Sequence, residues 1–317
     1  MQENTLTENT GWDDYWAGSS SGVAYGAEGV RHPVLDEFWT SMLTSVKQAD
    51  RVLDVACGRG AVLEHLGDSD AQVLETIAVD YSEPALRSLR EHYPDVMTVA
   101  ADVVGLPFAD SRFDLVLSQF GVEYGGVAAV KDLARLCAPS GQLAMVIHAE
   151  GSLVYRECET NLRVLEELRE LRFISCAIEM FQAGYAVMRG QIGRKEAGAA
   201  ARRVLEPFHG LRSIMDRYGE DVAGGTIQTL YRETARIQER FQYHDETEVL
   251  QWLRTMEVES DRYGNRMRSM LQSAFTVSDV STLLSEWQER GLKVERSEAL
   301  SDLEGQVLGW SVCARNE

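Results

Sequence analysis

The sequence has no long hydrophobic run and no basic leader, and both absences limit where the protein can work. No stretch of 18 or more apolar residues occurs in the 317-residue chain, so a transmembrane helix is not predicted. The first sixteen residues lack the basic and then apolar pattern of a secretory signal. We therefore expect a cytoplasmic location.

Paired cysteines and an excess of basic residues are also absent. The five cysteines are scattered and show no C-x-x-C pair or Cys/His ligand spacing, so we expect reduced thiols and no metal site. The sequence has 31 Lys and Arg residues and 50 Asp and Glu residues, which gives a formal net charge of −19. Nucleic-acid binding relies on clustered Lys and Arg, and the charge therefore argues against a nucleic-acid or anionic-membrane partner.

Short apolar runs alternate with helical patterns between about residues 50 and 150, which predicts βαβ units and a mostly parallel sheet. Helices are predicted near 59–67, 83–92 and 127–138, the last stopped by Pro139. Strands are predicted at RVLDVA, TIAVD, VMTVAA, FDLVLSQF and QLAMVIH.

From about residue 151 to 275 apolar residues recur every three or four positions, which predicts a wholly helical block. Within it GQIGRKEAGAAARR is poor in large apolar residues, and we expect a mobile loop or hinge there. After it, Thr276 and Asp279 form a T-x-x-D capping signal for a helix, and LKVERSEAL and QVLGWSVCA predict two closing strands.

The simplest architecture is an α/β sheet domain that a helical cap interrupts after the fifth strand. We expect an aromatic lid segment over residues 1–40 and a core made of 41–150 and 276–317. The cap over 151–275 is expected to form a ligand pocket or a homodimer interface.

The first predicted strand runs into VLDVACGRGAVLEHL, where Asp54 precedes a tight turn with Gly58 and Gly60. Glycine lets backbone approach a ligand closely, and the helix N-terminus beyond offers unpaired N–H groups. Asp80 ends the second strand, twenty residues after Gly60, where an acidic side chain can bind ribose hydroxyls. A dinucleotide site would need a third glycine at position 63, which is Leu63 here.

The third strand leads into AADVVGLPFADSRFDLVLSQFGVEY, which places Asp102 and the Val103 N–H where they can bind an adenine ring. Through its D-x-x-x-L-P-F-x-x-x-x-F-D-L-V string the sequence resembles the class I, seven-stranded, Rossmann-like S-adenosylmethionine methyltransferases. It is most similar to their small-molecule branch, which includes the ubiquinone and menaquinone C-methyltransferases. The resemblance covers roughly residues 50 to 150.

The resemblance implies S-adenosylmethionine as cofactor and direct displacement of its methyl group onto a small-molecule acceptor at O, N, S or C. The Gly-rich turn would hold the methionine end. Where the fullest family pattern has glycine this chain has Ala56, which implies reduced room. The implied cofactor residues are Asp54, Ala56, Gly58, Gly60, Asp80, Tyr81, Asp102, Val103 and Gln119.

Three polar residues are candidates for catalysis. His148 ends the fifth strand at the carboxyl edge and is expected to be a base, or alternatively to tie the cap to the sheet. Glu123 and Tyr124 follow the fourth strand and are expected to hold an acceptor, with Glu123 as a helix cap in the alternative.

The N-terminal segment is rich in aromatic residues, among them Trp12, Tyr15, Trp16 and Tyr25. Aromatic faces suit a cationic sulfonium, so Tyr15 and Tyr25 are expected to contact the cofactor as parts of a lid. Packing of Trp16 onto the sheet domain is an alternative that is compatible with a lid.

Two other functions are compatible with these residues. A non-catalytic scaffold or sensor that binds S-adenosylmethionine would keep the same three carboxylates. A protein or tRNA methyltransferase would need a peptide-binding or basic groove, which the net charge disfavours.

Overall fold

The computed structural model describes residues 12–13, 15–17, 32–43, 51–66 and 75–317. The chain divides into two compact units. The sheet unit comprises Met1–Glu157 and Ser269–Glu317, and the helical unit comprises Cys158–Arg268.

Seven strands form one sheet in the order β3-β2-β1-β4-β5-β7-β6. The first five strands are parallel, and β7 runs antiparallel to both of its neighbours. The predicted α/β class with a seven-stranded, Rossmann-like sheet is therefore confirmed. The strands are β1 (Arg51–Val55), β2 (Glu75–Asp80), β3 (Met97–Ala100), β4 (Phe113–Gln119), β5 (Cys137–Ile147), β6 (Leu292–Ser301) and β7 (Val307–Asn316).

Helices of the described residues cover the sheet or form the helical unit. They are α1 (Pro33–Leu43), α2 (Glu83–His92), α3 (Gly126–Leu136), α4 (Leu153–Leu171), α5 (Phe173–Met188), α6 (Arg194–Tyr218), α7 (Thr226–Glu239), α8 (Glu246–Ser273) and α9 (Val277–Glu289). None of them is long and apolar enough to cross a membrane.

Both faces of the sheet are covered by helices, which explains why its central strands are largely apolar. In β1, Val52 belongs to a core cluster with α1 and α2, and the next residue, Leu53, belongs to the cluster with α3 and α9. Successive strand residues point to opposite faces, so β1 is buried on both sides. Trp39 of α1 and Trp287 of α9 are the largest fully buried side chains of these two clusters.

The sharpest local prediction concerned the start of α9, and it is confirmed. The Thr276 hydroxyl accepts a hydrogen bond from the Asp279 N–H at 3.1 Å, and the Asp279 carboxylate accepts one from the Thr276 N–H at 2.9 Å. This reciprocal capping box satisfies N–H groups that have no partner within the helix.

Two local predictions were wrong. The helix expected near 59–67 is a 3-10 turn over Leu63–Leu66, because Gly60 at φ +91° holds the preceding chain out of helical geometry. The loop expected across residues 190–203 is helical from Arg194 onward, because its alanines and long charged side chains are strong helix formers. The helix expected near 127–138 is present as α3 but ends two residues earlier, at Leu136, and Pro139 lies in an irregular part of β5.

The helical unit has its own core. Buried side chains from α4 to α8 form one cluster, which includes Phe173, Phe181, Leu211, Leu230 and Leu253. The stripe predicted in α4 contributes Leu165 and Leu168 to that cluster.

Candidate active site

The polar residues singled out in the sequence follow the carboxyl ends of the five parallel strands. Because the carboxyl ends of parallel strands meet at one edge of a sheet, these residues share that edge. The chain order of the strands reverses between β1 and β4, and such a switch point is where open α/β sheets bind ligands. Asp54, Asp80 and Gln119 lie in the last residues of β1, β2 and β4, and Ala56, Asp102, Glu123 and His148 follow the ends of β1, β3, β4 and β5.

The turn after β1 is left-handed at three positions, with φ of +55° at Ala56, +54° at Gly58 and +91° at Gly60. Glycine adopts this conformation freely, whereas Ala56 does so at a cost of about 1–2 kcal/mol. A Cβ on Gly58 would lie 2.8 Å from the Trp16 ring, so position 58 has no room for a side chain.

Asp54 is a buried carboxylate without a hydrogen-bond partner among the described residues. It is 1% exposed, and neither of its oxygens is paired. Burial, reinforced by the negative charge of Asp80, raises the pKa of Asp54 to about 8. Buried polar groups are normally satisfied, so an orphaned carboxylate beside a glycine turn fits a ligand that brings a donor or a positive charge.

Asp80 has a structural role that the sequence did not reveal. Its carboxylate accepts the Gly58 N–H at 2.8 Å and the Ser82 N–H at 2.8 Å. Burial raises the pKa of Asp80, and these two N–H groups oppose the shift. Asp80 therefore fixes the glycine turn, and each of its oxygens keeps a further lone pair for a ligand.

The segment after β3 is open to solvent. Asp102 is exposed, and its Oδ1 accepts the Val104 N–H at 2.9 Å. Tyr81, after β2, is 43% exposed, while Val103 is half-buried against the core. Exposed rings and carboxylates of this kind are free to contact a ligand.

The side-chain oxygen of Gln119 already accepts a hydrogen bond. The Trp39 indole N–H donates a hydrogen bond to Gln119 Oε1. Trp39 is fully buried, so Gln119 ties α1 to the end of β4 and keeps its amide donors for another partner.

Glu123 and His148 form a buried pair. Glu123 Oε1 lies 2.6 Å from His148 Nδ1 and also accepts the His148 backbone N–H at 2.8 Å. Glu123 is 0% exposed, and its Oε2 has no partner among the described residues. The His148 ring lies 4.7 Å from the Phe120 ring and 5.8 Å from the Tyr124 ring, centroid to centroid.

This pair bears on the two sequence interpretations of Glu123. The helix-cap alternative is wrong, because α3 has Gly125 at its N-cap without a side-chain bond. Glu123 contacts His148, at a separation of 25 residues along the chain. That Glu123 holds an acceptor stays a prediction.

The described part of the N-terminal segment, residues 12–13 and 15–17, is helical and lies against the glycine turn. The Arg59 guanidinium donates to the Trp16 carbonyl at 2.6 Å, and Trp16 is 7% exposed. The Trp12 ring meets Tyr124 edge-on at 5.3 Å, and Tyr15 meets Trp16 at 5.0 Å. Packing of Trp16 against the sheet unit is thus observed. The moving lid stays a prediction, and Tyr25 lies outside the described residues.

Ser118 is a further site residue that the sequence did not identify. Its hydroxyl donates to the Val55 carbonyl at 2.8 Å and accepts the Val122 N–H at 3.3 Å. It therefore joins the end of β1 to the segment that carries Glu123. The one available signal was a serine directly after the apolar run Leu115–Leu117 of the strand FDLVLSQF.

Comparisons with known proteins point to a methyltransferase. Residues 52–141 match a family model described as a methyltransferase domain. The chain is 38% identical over 187 residues to a malonyl-[acyl-carrier protein] O-methyltransferase of Pseudescherichia vulneris. The aligned region covers 56% of this chain and 72% of that protein. The chain is also 36% identical over 115 residues to a demethylmenaquinone methyltransferase of Mycobacterium sp. (strain KMS), covering 35% of this chain and about half (48%) of the relative.

Among solved structures, the PH0226 protein from Pyrococcus horikoshii OT3 is similar at 24% identity, with a TM-score of 0.35 and coverage of 43% of this chain and 66% of that one. On the strength of the sequence relatives, the chain belongs to the S-adenosylmethionine-dependent methyltransferases. Its cofactor is S-adenosylmethionine, whose cationic methionine end suits the orphaned Asp54 and the glycine turn.

Proposed function

We propose that the chain transfers the methyl group of S-adenosylmethionine to a small-molecule acceptor at the carboxyl edge of its sheet. One observation carries the proposal. The ends of β1, β2 and β3 supply three carboxylates, and the ends of β4 and β5 supply the buried Glu123–His148 pair at the same edge.

The turn and the three carboxylates would hold the cofactor. Asp54 and the backbone of Gly58 and Gly60 would take the methionine end, with Ala56 beside them and the Gln119 amide as a further donor. Asp80 and Tyr81 would take the ribose, and Asp102 with the Val103 N–H the adenine. The bound sulfonium supplies an electrophilic methyl group and a good leaving group, so the protein chiefly positions and desolvates.

The Glu123–His148 pair would move the proton of an acceptor that carries one. Glu123 beside Nδ1 favours the tautomer in which Nδ1 carries hydrogen and Nε2 is free to accept a proton. His148 then acts as general base toward a hydroxyl, a thiol or an acidic carbon. Tyr124, whose ring contacts the His148 and Trp12 rings, would hold the acceptor.

The relatives suggest two acceptors to test first, malonyl-[acyl-carrier protein] and demethylmenaquinone. The experiment incubates the chain with S-adenosylmethionine and each acceptor and measures release of S-adenosylhomocysteine. We expect turnover with a small-molecule acceptor, and His148→Asn should lower it by about 10²–10⁴-fold wherever the acceptor must lose a proton. Cofactor binding without turnover across the acceptor panel would favour the scaffold or sensor function.

Two finer proposals concern assembly and location. We propose that the helical unit forms an acceptor pocket or a homodimer, which sedimentation equilibrium of the whole chain tests for the dimer. We also propose a cytoplasmic location, which is supported by the five cysteines, all among the described residues and none of them in a disulfide.

A further inference from the structure

The segment Gly121–Gly125, which carries Glu123 and Tyr124, has a glycine at each end, and each glycine is in close contact with a different cofactor segment. A Cβ on Gly121 would lie 2.4 Å from the Ala56 Cβ and 3.0 Å from the Ala56 carbonyl oxygen. Non-bonded carbon atoms do not approach so closely, so Gly121 is required for this contact with the turn after β1.

The other end of the segment meets the residues after β3. A Cβ on Gly125 would lie 2.6 Å from Val103 Cγ2 and 2.6 Å from the Ala129 Cβ. The next residue provides a contrast, because a Cβ on Gly126 would have nothing within 4 Å. Gly126 has a left-handed backbone, with φ of +74°. This conformation explains the glycine at position 126, where a close contact does not.

A hydrogen-bonded link reinforces the contact at Gly121. Through its hydroxyl, Ser118 joins the Val55 carbonyl to the Val122 N–H. Ala56 itself keeps a methyl group at a left-handed position where the family pattern has glycine, and that methyl lies against Gly121. Ala56 and Gly121 thus form a complementary pair, with the methyl group on one side and the space for it on the other.

We propose that Gly121–Gly125 is a coupling segment through which the two ends of the cofactor site position the Glu123–His148 pair. Ala56 acts through Gly121, Val103 acts through Gly125, and both are positioning residues for Glu123. Close-packed contacts transmit displacement with little compression. Cofactor binding therefore changes the surroundings of His148, and changes at Gly121 alter cofactor affinity in return, because coupling between sites is reciprocal. The inference rests on the proposed function.

The first test is a double-mutant cycle that uses calorimetry with S-adenosylhomocysteine. Gly121→Ala should weaken binding by about tenfold or more, and adding Ala56→Gly should recover part of the lost affinity, because it removes the Cβ contact but leaves the 3.0 Å contact with the carbonyl oxygen at position 56. Gly198→Ala is the control, since Gly198 lies inside α6 without a positive φ and an added methyl group there makes only an ordinary contact, and it should leave affinity unchanged. If the double variant is as weak as the two single effects combined, the pairing is refuted.

The second test does not depend on the folding of Gly121→Ala. Ala56→Gly removes the methyl group at a position where glycine is unstrained, so the variant should fold. In the unchanged chain, S-adenosylhomocysteine should shift the NMR signals of the His148 ring, assigned by their loss in His148→Asn. Ala56→Gly should bind the compound and show a smaller shift. An unshifted His148 ring in the saturated, unchanged chain would overturn the inference, whereas failure of that chain to bind at all would overturn the proposed function.

Discussion

At the scale of the residue, Asp54 gives the most direct support to the proposal that this edge of the sheet binds a ligand. Its two oxygens are buried without a partner among the described residues, beside a second carboxylate on Asp80. The folded state raises the pKa of Asp54 from 3.8 to about 8 and so binds this proton more tightly than the unfolded chain does. Its contribution to stability is full below about pH 3.8 and is lost as the pH rises toward about 8. A stability cost at a binding site is common.

Asp54→Asn should therefore stabilise the ligand-free protein at alkaline pH, because asparagine needs no charge in the buried site. We expect a gain of about 1 kcal/mol or more above pH 8, which is roughly 1.5 °C or more in Tm for a chain of 317 residues. Thermal unfolding at several pH values measures it. Asp102→Asn is the control, since Asp102 is exposed and should show no such gain. A lower Tm for Asp54→Asn at alkaline pH would contradict the account.

The protonation of Asp54 should also affect cofactor binding. A cationic ligand favours the ionised carboxylate, so binding releases the Asp54 proton and affinity should rise with pH up to about 8. The limiting slope is about tenfold per pH unit. Calorimetry with S-adenosylhomocysteine, whose ammonium group is positive, measures the slope, and Asp54→Asn should flatten it. An equal slope in both proteins would assign the pH dependence to another group.

At the scale of the element, the sequence predicted those features whose causes are local. The capping box of α9 needs only Thr276 and Asp279, three residues apart, and it was predicted correctly. The helix expected near 59–67 failed because the left-handed Gly60 outweighs the apolar pattern that follows it. The prediction of a loop at 190–203 failed because a shortage of large apolar residues is typical of an exposed helical face as well as of a loop.

The capping box should contribute measurably to stability. Thr276→Ala removes the side-chain acceptor for the Asp279 N–H, and we expect a loss of about 1 kcal/mol in the free energy of unfolding. Urea denaturation measures the loss. The matched control is Thr282→Ala in the same helix, where the exposed hydroxyl only bonds the Ser278 carbonyl one turn earlier. Equal effects of the two substitutions would show that the cap contributes nothing specific.

At the scale of the whole molecule, the sheet and the positions of the three carboxylates could be predicted because parallel strands bring their carboxyl ends to one edge. The side-chain contacts at that edge could not be predicted from the sequence. Glu123 meets His148 across 25 residues, and Trp39 meets Gln119 across 80, through packing that periodicity does not encode. The missing partners of Asp54 are likewise visible only once the chain is folded.

The net charge leads to a prediction for the whole chain. With a formal charge of −19, the protein should repel a phosphate backbone. Fluorescence anisotropy with labelled tRNA should therefore show no binding even at about 50 mM salt, where electrostatic attraction is strong. Binding that weakens steeply with salt would point to a basic groove and revive the tRNA methyltransferase alternative.

The most direct test of the account is calorimetry with S-adenosylhomocysteine on the unchanged chain and on Asp80→Ala. The account predicts one site per chain in the unchanged protein. In Asp80→Ala it predicts a loss of about 2–3 kcal/mol, because charge-assisted hydrogen bonds to the ligand and the anchor of the Gly58 turn are both removed. No binding to the unchanged chain, or equal affinity in the two proteins, would contradict it.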